Sequence, residues 1–226
     1  MPPERQFVLC GDGVPRNLTS SDCVVCKFRS GDTFFHWLSD DEKRRAAAYT
    51  SKTARGDFIA GRAGVRFVLS EGRADKTVEV SLSTAGKPFV KGGPFFSITH
   101  CAGHVLVAFS GQEVGIDVED TQRHHNHLAL ARRFFLPKEF ALISAAGASG
   151  AEAFLDLWTA KEAMVKLSGV GLVGMNSAVV VGPGHGLLDL QAVFLEQATL
   201  DTLRCSVAAF KPFRVLNWFE LQGLLG

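Results

Sequence analysis

The sequence predicts an α+β fold in two halves of similar layout. The order of elements carries that reading: helical periodicity followed by strand alternation occurs twice. The first pass ends near Thr121 and the second begins near His127, so the halves are taken as residues 1–121 and 122–226. No strong internal repeat accompanies the duplication, which rests on element order alone.

The run 23–28 alternates as a strand. Ser39 is placed to cap a helix whose first turn holds Asp40, Asp41 and Glu42, and helical character continues to Tyr49. A second helix is expected after Gly56, with Phe58, Ile59, Ala63, Phe67 and Leu69 on its apolar side. Arg62 and Arg66 lie four apart on another side, the usual pattern of a solvated face. Val78 to Leu82 reads as a strand and Ala85 to Pro88 as a turn. Three strands follow, at Phe95 to Thr99, Val105 to Phe109 and Val114 to Val118.

Beyond them, a helix from Asn126 to Phe135 leads to Pro137, which begins a further short helix. Ser144 to Ala153, nearly all Ala, Gly and Ser, is expected to be a mobile loop. Leu155 to Leu167 is a helix ended by Ser168 and Gly169. Strands return at Ala178 to Val181, Leu203 to Phe210 and Val215 to Leu221.

With 226 residues, 46% apolar and 21% charged, the composition is that of a globular protein. A net charge of +1 gives no field directed at nucleic acid or membrane. No apolar run is long enough to span a bilayer, and Met1 to Gly13 lacks a signal-peptide core, so a cytoplasmic address is expected. The five cysteines are an odd, scattered set. Cys23 and Cys26 sit three apart on a strand and point to opposite faces, so they read as structural and not as a zinc pair. His124, His125 and His127 pose the same metal question; neighbouring residues splay apart, so an exposed loop or helix start is the expectation.

The chemistry concentrates in two places. In Val114-Gly115-Ile116-Asp117-Val118-Glu119, alternation buries the even-numbered residues and sets Asp117 and Glu119 together on the other face, Cα atoms about 7 Å apart. Adjacent carboxylates repel unless a cation lies between them. A strand with one solvated face is the plain alternative. On the later helix, Trp158, Glu162 and Lys166 form one i, i+4 stripe with Lys161 beside it. An exposed Glu162–Lys166 bridge would contribute only about 0.3–0.5 kcal/mol. Three carboxylates with lysines alongside suit a magnesium-bridged diphosphate instead, since magnesium takes one or two carboxylates, waters and substrate phosphate. Asp117, Glu119 and Glu162 are thus the expected metal ligands. No Walker-type loop or kinase signature is present, which weighs against a nucleotidyl or phosphoryl transferase of those kinds.

Gly115 to Glu119, then Trp158 to Ala163 and Lys166 to Leu172, in this order, resemble the Sfp-type 4′-phosphopantetheinyl transferases. The likeness also takes in Glu42 to Arg45, Gly61-Arg62, Val65-Arg66, Gly86-Lys87-Pro88, Phe96 to Cys101 and Phe134 to Glu139, covering roughly residues 35 to 175. It implies a pseudo-twofold monomer of two α+β halves with the active site between them, acting on coenzyme A and an apo acyl or peptidyl carrier protein. The 4′-phosphopantetheine arm would pass to a carrier serine, with release of 3′,5′-ADP. The pathway served could be fatty acid, polyketide or nonribosomal peptide synthesis.

By the same resemblance, Asp117, Glu119 and Glu162 hold magnesium, and Glu162, directly or through a bound water, takes the serine proton. Glu139 is the second-ranked base. Lys166 binds a diphosphate oxygen and Lys161 assists. His100 meets a coenzyme A phosphate, while Arg45 and Lys87 surround the 3′-phosphate and adenine. The family strand reads Phe-Asn-x-Ser-His-Ser; here Ser97, Thr99 and Cys101 depart from it, and Thr99 keeps the hydroxyl for phosphate. A non-catalytic module that binds coenzyme A or carrier protein is the alternative.

Overall fold

A computed structural model describes residues 18–70, 78–124, 126–169 and 172–220; for 172, 173 and 217–220 it gives the backbone alone. Cys10, His125, Val170 and Gly171 lie outside the described residues, as does Leu221 at the end of the last expected strand.

The chain divides into two compact units, residues 1–112 with 213–226, and residues 113–212. This differs from a break after Thr121 in both directions. The acidic strand pairs within the second unit, and the last strand returns to the first.

The first unit holds β1 (Asp22–Arg29), α1 (Asp40–Ala47), α2 (Lys52–Leu69), β2 (Ser81–Leu82), β3 (Pro88–Phe89), β4 (Phe95–Cys101), β5 (His104–Ser110) and β11 (Arg214–Glu220). Its main sheet runs β11-β1-β5-β4, with β11 parallel to β1 and the other pairs antiparallel. α2 lays Ile59, Ala60, Ala63 and Val65 into a core shared with Val24, Phe28, Phe96, Val107 and Phe109. Cys23 and Cys26 are fully buried on β1, in the structural role expected of them.

Two boundaries move. Ser51 caps α2 by accepting from the Ala54 N–H, so the helix begins before Gly56. Val78 to Val80 do not join a strand; the Val78 carbonyl accepts from Arg66 instead of entering a ladder. α1 is closed by a capping box in which Ser39 and Glu42 satisfy each other's backbone N–H groups.

The second unit holds β6 (Val114–Asp120), α3 (His127–Phe134), α4 (Pro137–Ala145), α5 (Gly150–Ser168), β7 (Ala178–Gly182), β8 (His185–Leu188), β9 (Gln191–Leu200) and β10 (Leu203–Ala209). Its antiparallel sheet runs β6-β10-β9-β8-β7. β8 and β9 escape the sequence pattern: Gly186 breaks the alternation of β8, where a side chain would strike Met164 Sδ at 2.6 Å.

The Ser144–Ala153 stretch is not a loop. It ends α4, turns at Gly147, whose φ of +57° few other residues adopt, and starts α5 at Gly150. Alanine is the strongest helix former, so this small-residue run favours helix once Ile143 and Phe154 bury its flanks.

α5 packs along β6 and β10. A Cβ on Gly115 would collide with the Ala163 carbonyl oxygen and the Leu167 nitrogen, so strand and helix backbones touch there. Thr159 Oγ1 and Ser206 Oγ, 2.7 Å apart and buried, join α5 to β10, and Gln197 Nε2 donates to Ser206 Oγ at 3.0 Å. We expect Gly115→Ala to cost about 1–3 kcal/mol or more through overpacking. Gly182→Ala, which meets only open space, should change little. Urea unfolding of the two variants checks the contrast.

Candidate functional site

Gly115 faces α5, and strand alternation puts Asp117 and Glu119 on that same face. The helix meets them with its Trp158–Glu162–Lys166 stripe. Lys166 Nζ donates to Asp117 Oδ1 at 2.6 Å, with Asp117 buried and Lys166 about one third exposed. Burial raises the Glu119 carboxyl, as does Asp117, while Arg123, Lys166 and a hydrogen bond from Trp158 oppose the rise. Burial also pushes Glu162 up to about 7, with Asp117 and Glu119 adding to the effect and Lys166 opposing it. Three acidic groups therefore interact with one another, opposed by Lys166 and, at Glu119, also by Arg123.

This is an excess of negative charge in a half-buried place, the condition a cation relieves. The donors are all hard oxygens, which fit magnesium. Among the described residues no three His, Cys, Asp or Glu side chains gather into a ready ligand shell. Magnesium does not need one, because it keeps several waters and binds through one or two carboxylates plus phosphate. His124 is exposed, and the His127 ring lies tilted against that of Phe154, ring centroids 6.2 Å apart.

Glu139 and Lys161 are placed elsewhere. Lys161 Nζ donates to Glu139 Oε2 at 2.9 Å and Oε1 at 3.2 Å, and to the Ala178 carbonyl. Glu139 Oε2 also accepts from the Leu136 N–H at 2.9 Å, capping α4. The pair is 0% and 3% exposed, and Lys161 lies over the Phe135 ring at 5.3 Å. Burial lowers the Lys161 ammonium; Glu139 holds it up and Lys138 lowers it further. Glu139 and Lys161, read from the sequence as catalytic, form in the structure a buried tie between α4, α5 and β7. Sequence spacing misses it because Lys161 adjoins Glu162 yet points about 100° away around the helix.

The coenzyme A candidates lie in the first unit. Arg45 is exposed with its guanidinium 5.2 Å from the Phe58 ring centroid, and Lys87 is half-buried. Thr99 is buried on β4 and His100 largely exposed; as strand neighbours they project to opposite faces. The structure therefore does not bring their side chains to one spot.

Arg66 is not solvated. Its Nη2 and Nε donate to Glu42 Oε2 at 2.9 and 3.0 Å, a pair nearly nine-tenths buried. Arg62 is buried beneath Phe58, 5.8 Å from the ring centroid. Burial lowers its guanidinium, Glu42 opposes that, and Arg45 and Arg66 add repulsion. The i, i+4 spacing shows the two arginines; only packing shows that both are covered.

Residues 113–209 match the family model of the 4′-phosphopantetheinyl transferase superfamily, nearly the whole of the second unit. The chain is 33% identical over 148 residues to the 4′-phosphopantetheinyl transferase HetI of Nostoc, covering 62% of each protein. It is 30% identical over 146 residues to the transferase Sfp of Bacillus subtilis, 62% of this chain and 64% of that one. It is also 30% identical over 161 residues to enterobactin synthase component D of Salmonella typhimurium, 70% and 66% respectively. The matched stretch thus spans just under two thirds of these relatives.

Lys161→Met alone should cost about 3–5 kcal/mol, because it leaves Glu139 buried and unpaired. Lys161→Met with Glu139→Leu should recover most of that loss in urea unfolding. A stable Lys161→Met protein would contradict the tie. Glu162 gives a pH signature. Its folded value of about 7 exceeds the ordinary 4.5, so the native state binds more protons between those values. Stability therefore falls as pH rises through that window. In metal-free protein, Glu162→Gln should melt higher than wild type above pH 7, the gap closing towards pH 4.5. A gap independent of pH would count against the burial assigned to Glu162.

Proposed function

From a chain that belongs to the 4′-phosphopantetheinyl transferase superfamily, we propose transfer of the 4′-phosphopantetheine arm of coenzyme A to a serine hydroxyl of an apo acyl or peptidyl carrier protein. 3′,5′-ADP is the second product. The observation that carries the reading is Lys166 bound to Asp117 at 2.6 Å, with Glu119 and Glu162 near enough to interact with both.

Asp117, Glu119 and Glu162 would hold magnesium. When bound, it supplies charge neutralisation for the diphosphate and its leaving phosphate. Lys166 donates to a diphosphate oxygen as a point charge, and its contact with Asp117 sets where that charge sits. Glu162 takes the serine proton. With magnesium beside it the carboxyl stays ionised, the form that accepts a proton. The serine Oγ forms its bond to the pantetheine phosphorus, the bond from that phosphorus to the bridging oxygen breaks, and the electron pair leaves with 3′,5′-ADP. Glu139, committed to Lys161 and the start of α4, is not the base in this reading.

In the first unit, Arg45, Arg62 and Lys87 present cationic charge suited to the 3′-phosphate, with His100 exposed for a phosphate oxygen. Arg62 joins this set because a covered guanidinium with two arginines near it is itself relieved by an anion. The pseudo-twofold relation of the halves, the monomeric state and the cytoplasmic address belong to the same proposal. Among the described residues no helix is long and apolar enough to cross a membrane.

The test is incubation with coenzyme A, magnesium and apo carriers from fatty acid, polyketide and nonribosomal peptide systems, with mass spectrometry of each carrier serine. Phosphopantetheine addition is expected with at least one carrier. Glu162→Gln should lower kcat roughly 10²–10⁴-fold, as loss of a general base does. Lys87→Ala should raise KM for coenzyme A with kcat little changed. Coenzyme A binding without transfer to any carrier would favour the non-catalytic binding module.

A further inference from the structure

α2 and β4 of the first unit meet along two short stripes. On α2 the stripe is Asp57 and Gly61, four apart; on β4 it is Ile98 and His100, two apart. A Cβ on Gly61 would stand 3.0 Å from Ile98 Cγ2, so the missing side chain lets helix and strand close up there. One step along, that approach brings Asp57 Oδ2 to 3.3 Å from His100 Nδ1.

The two partners differ sharply in exposure: the Asp57 side chain is 10% exposed and the His100 side chain 58%. The other Asp57 oxygen, Oδ1, is buried with no hydrogen-bond partner among the described residues. A buried carboxylate with one partner is costly unless that partner carries a proton for it. An ionised carboxylate only accepts, so a hydrogen bond across this 3.3 Å contact requires the proton on Nδ1. The tautomer of a histidine is set by the bond its other nitrogen makes. With Nδ1–H committed inward, Nε2 is the nitrogen left for a ligand.

We propose that Asp57 is a positioning residue for His100: it fixes the ring through Nδ1 and leaves Nε2 to meet a phosphate oxygen of the substrate. Nε2 takes up a proton from solvent and donates it in a hydrogen bond to that oxygen. The Asp57 carboxylate compensates the imidazolium charge from behind. Nothing in the spacing of the sequence joins these residues, since they lie 43 positions apart on different elements. The ligand identity rests on the coenzyme A reading above; the dyad itself rests only on the α2–β4 contact.

The experiment combines imidazole ¹⁵N NMR with calorimetric binding of coenzyme A and dephospho-coenzyme A. It uses wild type, Asp57→Ala, His100→Ala and the double variant. In its neutral form His100 should carry its proton on Nδ1 in wild type and lose that preference in Asp57→Ala. Asp57→Ala should weaken coenzyme A binding about tenfold, the scale of one hydrogen bond to a charged group. The double variant should bind no worse than His100→Ala, because Asp57 acts through the histidine.

If dephospho-coenzyme A shows the same loss, Nε2 meets the diphosphate; if it shows none, Nε2 meets the 3′-phosphate. Either result supports the proposal. Additive losses in the double variant, or an unchanged tautomer in Asp57→Ala, would overturn it. Should Asp57→Ala fail to fold, Asp57→Leu keeps similar bulk and removes both charge and acceptor, and the same two readouts apply. If wild type binds no coenzyme A, the functional reading fails while the tautomer still decides the dyad.

Discussion

The contact of β6 with α5 at Gly115 is the constraint on which the second unit depends. Backbone meets backbone there, with no side chain to hold strand and helix apart. That approach turns the Asp117–Glu119 face of the strand onto the Glu162–Lys166 stripe of the helix. Lys166 reaches Asp117, and Trp158 reaches Glu119. On the neighbouring strand, Ser206 lies opposite Asp117 in the ladder and anchors Thr159 of the same helix. The acidic cluster is thus held from both sides. It is built on a strand and a helix, so its groups are placed more firmly than loops would place them.

The two blocks that carry the candidate site were legible because each obeys a local period. Asp117 and Glu119 share a face by the two-residue repeat, and Trp158, Glu162 and Lys166 share one by the i, i+4 repeat. Their meeting was not legible from period alone, since it depends on a long-range approach through Gly115. Lys161 shows the limit most clearly. One residue from Glu162, it belongs to a different side of the helix and neutralises Glu139 inside the core. Burial, not composition, separates the two lysines of that helix.

The fold was legible in its strongly alternating strands and its capped helices, Ser39 and Pro137 among the starting signals. It was least legible where side chains are small. The alanine-rich stretch around Gly147 reads as a loop by composition but closes α4 onto α5, because tertiary packing decides for residues of little character. β8 hides in the same way, its Gly186 making room for Met164. The division into units was misjudged for a related reason. Strand partners, not chain order, assign β6 and β11, and pairing over such separations leaves no local mark.

The two units carry opposite electrostatic imbalances. In the second, three carboxylates interact with one another, opposed by Lys166 and, at Glu119, also by Arg123. In the first, Arg45 and Arg66 repel the covered Arg62, and Glu42, which favours it, is already paired with Arg66. Neither arrangement minimises its own charge energy, and burial makes each excess costlier than it would be in water. Proteins retain such imbalance where a ligand completes it, which is why perturbed groups cluster at functional sites. A cation would relieve the acidic groups and an anion the arginines, each within its own unit.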